Sequence, residues 1–181
     1  MVLPPHSVGS AEIRYRYKGN KTTTHMGGPV DVRNRYNWVG GQMKVGDGTG
    51  VQARFIDLVN LRMMIALHDI GMDDGPFCLV PGSHKANLLS RFGLDPQLEP
   101  GMQAVIMRKG DVLFFTENMR HGGLTNVSGK PRKSIHLLYS QSWSPSQSQV
   151  HFNEPLRIHK KAWDRYSPAQ RAYFPHANVV G

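Results

Sequence analysis

GDVLFFTENMRHGGLTNVSGKPRKSIHLLY, residues 110–139, is the stretch from which the fold is read. Its first apolar run reads as a strand, the segment around His121 as a loop, and Arg132 to Leu138 as a returning strand after the turn residues Asn126, Ser128 and Gly129. If His121–Thr125 and Arg132–Leu138 pair as a hairpin, His121 faces Arg132 across the strands, with Cβ atoms roughly 5 Å apart. Ser134, two residues on, shares the face of Arg132. An imidazole that can hold a metal, beside a guanidinium and a hydroxyl that can hold a carboxylate, suits a chelating organic acid.

Outward from this stretch the chain is mostly strand. Glu12–Lys18 alternates as EIRYRYK, with Ile13, Tyr15 and Tyr17 on one face of an expected half-buried strand. Thr22–Thr24 leads as a β-branched run to His25, and Gly27, Gly28 and Pro29 break it. Asn37–Val45 is a further strand, followed by the turn GDGTG at 46–50, which lacks the strand–loop–helix setting of a phosphate cradle. Val59–Ile70 and the run FCLV read as two strands of a hairpin, and Gln103–Arg108 with Asp111–Thr116 as another around Lys109–Gly110. Lys85–Phe92 is a short helix candidate. After Trp143 a linker, SPSQSQ, precedes helix signals at Ser167 and Pro168. About eight short strands with peripheral helices predict an all-β core, a double-sheet jelly roll or related barrel. We expect one domain over 1–181, its core about 12–143 and its helical tail 144–181, the tail packing on the outside of the sheet.

Composition bounds the function. A chain of 181 residues, 39% hydrophobic, can build one core. It has no apolar run long enough to span a membrane, and MVLPPHSVGS lacks the regions of a signal peptide, so a soluble, cytoplasmic protein is expected. Cys78, the single cysteine, excludes an internal disulfide and reads as a buried small hydrophobe. The net charge of +9 comes from scattered Lys and Arg without a nucleic-acid motif. Solvated faces are the simpler reading and an anionic small-molecule substrate the alternative.

The succession ALHDIGMDDGPFCLVPGSHKAN, KGDVLFFTENMRHGG and NVSGKPRKS resembles the phytanoyl-CoA dioxygenase family of iron(II)- and 2-oxoglutarate-dependent oxygenases, over roughly His25 to Trp143. The resemblance implies a cupin-like double-stranded β-helix holding one Fe(II), with 2-oxoglutarate and O2 as co-substrates. It maps the second metal-binding histidine to His121 and the arginine for the far carboxylate of 2-oxoglutarate to Arg132. Arginine suits that role because its planar, two-pronged donor matches a carboxylate where lysine does not, and Ser134 could add a hydrogen bond. The first metal ligand is expected upstream, and His25, in THMGG, is the best placed histidine. For this family the chain is short, which leaves a further N-terminal portion open.

The sequence departs from the family pattern at Gly27, where an acid two residues after the first histidine is usual. Asp31, Asp69 or Glu117 could complete the centre; water or halide could occupy the position, as in related halogenases; or the metal could be lost. The expected activity is oxidation of an unactivated C–H bond of a small organic substrate. A halogenase on the same scaffold and a non-catalytic carboxylate-binding jelly roll are the alternatives. The remaining histidines have plainer readings: in LHD the adjacent His68 and Asp69 point to opposite faces, His84 belongs to the PGSH turn, and His136 is inward but suits a hydrogen-bonded core position.

Overall fold

The computed structural model describes residues 6–25, 42–45, 49–52, 60–85, 94–117, 119–141, 155–175 and 177–181. The chain enters on β1 (His6–Arg16) and β2 (Thr22–His25), forms the hairpin β3 (Gln42–Val45) and β4 (Thr49–Gln52), and continues through β5 (Asn60–Ala66) and β6 (Phe77–Leu79). It then runs through β7 (Gln103–Val105), β8 (Val112–Thr116), β9 (His121–Gly123) and β10 (Arg132–Gln141). Two four-stranded antiparallel sheets result, ordered β1-β10-β5-β8 and β2-β9-β6-β7. This is the expected jelly roll, a double-stranded β-helix, and it leaves few helices among the described residues.

Period-two alternation decides what each strand buries. On β10 the residues Arg132, Ser134, His136, Leu138 and Ser140 are buried, while their odd-numbered neighbours are exposed or half-buried. Arg62, Met64 and Ala66 do the same on β5. Between the sheets Met64, Ala66, Ile70, Phe77, Met107 and Phe115 form the apolar core, with Leu79, Val105 and Leu113 against it. On β1 the alternation is as read, but its apolar parity lies outside: Ile13, Tyr15 and Tyr17 are exposed, and Glu12, Arg14 and Arg16 are the half-buried set.

All three hairpins expected between neighbouring strands are corrected. β9 pairs with β2 and β6, whereas β10 pairs with β1 and β5, so His121 and Arg132 stand in different sheets and Arg132 faces Arg16 instead. Likewise β5 and β6 belong to different sheets, as do β7 and β8. The physical reason is that the connecting loops turn corners between sheets. Asn126, fully buried, donates from Nδ2 to the carbonyls of Arg16 and Lys130 (3.0 and 2.7 Å), while Val127 N and Ser128 N both donate to Asp73 O (2.7 and 2.8 Å). That anchoring takes the hydrogen bonds a tight hairpin would have used.

The tail carries β11 (Arg157–His159) and β12 (Asn178–Val180), paired in parallel, with α1 (Lys160–Trp163) and α2 (Pro168–Arg171) between them. Ser167 caps α2 as expected, in a capping box with Gln170. Val8 N donates to Tyr173 O (2.8 Å), tying the tail to β1. Helix residues 86–92 of the Lys85–Phe92 candidate, the 37–41 part of the Asn37–Val45 strand, Gly27 and Asp31 lie outside the described residues. No helix among the described residues is long and apolar enough to cross a membrane.

Candidate metal and co-substrate site

His25 and His121 are brought together as register partners on β2 and β9, with ring centroids 4.2 Å apart and planes tilted by 54°. Each ring is oriented by its own strand. His25 Nδ1 lies 2.7 Å from Thr23 O, and His121 Nδ1 lies 2.7 Å from Met119 O. A carbonyl can only accept, so both Nδ1 atoms carry a proton, which in a neutral ring leaves the lone pair on Nε2. This arrangement, a backbone acceptor behind each imidazole, is what fixes tautomer and direction in metal-binding histidines.

The surroundings suit an ion. His121 is buried, with Phe77 and Phe115 at ring-centroid distances of 5.4 and 5.0 Å, whereas His25 is exposed. Burial, helped by neighbouring His25, pushes His121 down to about 4, so its Nε2 is unprotonated at neutral pH. Across the interior, Arg62 Nε on β5 donates to Glu117 Oε1, and Glu117 Oε2 lies 4.0 Å from His121 Nε2. Burial works against ionisation of Glu117, but Arg62, His121 and His25 together hold its carboxyl below the usual range. The loop to β9 is clamped: Arg120 N donates to Ser83 Oγ (2.8 Å), and Arg120 Nη1 pairs with the buried Glu99 (2.6 Å).

Arg132 and Ser134 line the interior face of the other sheet. Arg132 is 4% exposed; its Nη1 donates to Gly75 O, and its Nε has no hydrogen-bond partner among the described residues. Burial, then the charges of Arg16 and Arg14, lowers it to about 10. Its register partner Arg16 also has a buried Nε without a partner, and Arg14 faces Ser134. Ser134 Oγ is 2.9 Å from His136 Nε2. A buried guanidinium facing a half-buried one, each with an orphaned Nε, beside a hydroxyl is a cradle for an anion, so donors on both sheets fit a metal and a carboxylate. Sequence reasoning found Arg132 and missed Arg14, Arg16 and Arg62. The signal was present in EIRYRYK, whose arginines share one parity, but the apolar parity drew the inward assignment.

The other candidates separate clearly. Asp69 lies beyond Ala66, the end of β5 remote from Leu61, whose partner Thr116 adjoins Glu117. Its Oδ1 accepts from Lys109 N (2.8 Å), in a surface cleft with His68 and Lys130. It is therefore not a third ligand for the histidine pair. His68 Nε2 accepts from Lys133 N (2.9 Å), a structural latch between strands.

A profile of the phytanoyl-CoA dioxygenase (PhyH) family matches residues 47–134, a span that includes Glu117, His121, Arg132 and Ser134 and begins after His25. No curated protein matches the chain. HygX from Streptomyces hygroscopicus, solved with nickel, 2-oxoglutarate and hygromycin B bound, is similar at 24% identity and a TM-score of 0.59, over 78% of this chain and 59% of that one. HygX with iron bound gives 21% identity and 0.57, over 78% and 61%. AviO1 from Streptomyces viridochromogenes gives 21% and 0.50, over 78% and 53%. At these identities the likeness is one of fold, and the chain spans about three-fifths of the length of HygX.

Proposed function

We propose, from the match of residues 47–134 to the phytanoyl-CoA dioxygenase family, that the chain is a non-haem iron(II)- and 2-oxoglutarate-dependent oxygenase, one domain acting on an unactivated C–H bond of a small organic molecule. The observation that carries the reading is the juxtaposition of His25 and His121, each with Nδ1 on a backbone carbonyl, in a barrel whose opposite sheet offers Arg132 with an orphaned buried donor. HygX is a structure of the same fold that holds 2-oxoglutarate and a small molecule, hygromycin B.

Each residue has a defined task. His25 and His121 hold iron(II), which with 2-oxoglutarate supplies the means of activating O2 against a C–H bond. Arg132 holds the far carboxylate of 2-oxoglutarate, and Arg16 adds a second positive charge beside it. With His136 as its Nε2–H tautomer, the ring donates to Ser134 Oγ and leaves the hydroxyl proton for the same carboxylate. Phe77 and Phe115 keep water from the buried side of His121.

The test is anaerobic calorimetric titration of the iron(II) form with 2-oxoglutarate. Arg132→Ala should abolish saturable binding with the fold intact, and Arg132→Lys should restore it poorly; unchanged affinity in the alanine variant would sink the assignment.

A further inference from the structure

We propose that Glu117 is the carboxylate arm of the metal centre, so that the ion is held by His25, His121 and Glu117 and no acid is required at position 27. This inference rests on the reading of His25 and His121 as metal ligands, and it supplies the ligand that reading lacks.

Glu117 follows β8, in the first sheet, and His121 opens β9, in the second. The two elements belong to different sheets, and the carboxylate at the end of one comes within 4.0 Å of the imidazole at the start of the other. Glu117 is 6% exposed, a setting a carboxylate tolerates only when its oxygens are engaged. Arg62 engages Oε1. Oε2 is the oxygen turned to His121 Nε2, at 4.0 Å.

With bonds of about 2.1 Å, adjacent ligands on one ion stand about 3 Å apart. Bringing Oε2 to that distance from His121 Nε2 therefore takes a movement of about 1 Å. Among the described residues no three donors already stand at ligand distances, and the ion itself would draw Glu117 in. Arg62 then plays the part of the outer hydrogen bond that orients a ligating carboxylate. Arg62 also lies 3.7 Å from Glu12, so it does not depend on Glu117 alone for countercharge.

Other described acids near the interior are committed elsewhere. Glu12 pairs with Arg14 at 2.7 Å, Glu99 pairs with Arg120, and Asp69 is at the far end of β5. Glu117 is the described carboxylate within ion-pair range of either histidine.

The experiment is a titration of the full chain with Co(II) alone, followed by calorimetry and by the visible absorption of the bound ion, which reports ligand number and type. Glu117→Gln keeps the size of the side chain and an acceptor for Arg62 but ligates poorly. It should weaken Co(II) at least tenfold and change the spectrum, with metal-free thermal unfolding close to that of the native chain. Should Glu117→Gln fail to fold, Glu117→Asp keeps the charge against Arg62 and shortens the reach; weakened Co(II) and an altered spectrum are again expected. Native affinity and an unchanged spectrum in the folded variant overturn the proposal. His121→Ala separates the two levels: if it loses Co(II) while Glu117→Gln does not, the histidine reading stands and the Glu117 inference falls, and if it retains Co(II), the histidine reading itself falls.

Discussion

His136 shows how a single residue is governed by what faces it. Its side chain is buried on β10, opposite Glu12 on β1 and Met64 on β5. Burial first, then the charges of Arg14, Arg62, Arg132 and Arg16, lowers it to about 2. Because the folded state then binds fewer protons than the unfolded chain, whose histidine titrates near 6.5, stability falls as pH drops below about 6.5 and continues to fall toward 2. The slope is roughly 1.4 kcal/mol per pH unit for one proton. His121, lowered to about 4, adds a second proton over the upper part of that window. His136→Gln, which keeps a hydrogen-bonding partner for Ser134, should remove about one proton's worth of slope between pH 6 and 4. Urea unfolding of both proteins across that range measures it, and parallel curves refute it. Inward parity for His136 was legible from its spacing to Ser134; the four arginines around it were not, because three of them arrive from β1 and β5.

At the scale of the element, the pairing of β2 with β9 decides whether two histidines make a site. The two strands meet at Thr22 opposite Gly123 and His25 opposite His121, with a register shift between. Gly122 is where they come closest: a Cβ there would stand 2.8 Å from Thr22 O, a backbone atom that cannot rotate away. Gly122→Ala should therefore push β2 outward, destabilise the protein by about 1–3 kcal/mol and weaken metal binding by moving His25. At the next residue a Cβ would meet the Thr22 side chain at 3.4 Å, so Gly123→Ala is the milder control. Chemical unfolding and Co(II) titration of the pair test the claim; equal affinities would show that β2 does not depend on this contact. The HGG sequence advertised two small residues after His121, but only the partner strand says which one must be small.

Over the whole molecule, the proposed co-substrate joins the two sheets. Its metal end would bind at His25 and His121 in one sheet and its far carboxylate at Arg132 in the other. A ligand at one hundred times its dissociation constant stabilises by about 2.7 kcal/mol. If 2-oxoglutarate bridges the sheets, the anaerobic Tm with iron(II) and 2-oxoglutarate together should exceed the sum of the separate shifts. Arg132→Ala should erase the excess and keep the iron(II) shift. Simple additivity in the native protein would argue that the two ligands do not share a site.

The amino-acid order alone determined which residues share a face, because strand parity is a local property with a period of two. It thereby put Arg132, Ser134 and His136 on one inward face, set Ser167 as a helix cap, and marked β5, β6, β8 and β10 as strands. Partner choice is non-local, and there neighbours in sequence misled: the nearest strand is the obvious hairpin partner, yet Asn126 and Asp73 turn the chain from one sheet to the other. Parity also cannot say which side of a strand meets the core. On β1 the tertiary structure turned the aromatic side outward and set Arg14 and Arg16 opposite Ser134 and Arg132 of β10. The approach of Glu117 to His121 depends on a crossing between sheets, a distance that only the packed sheets set.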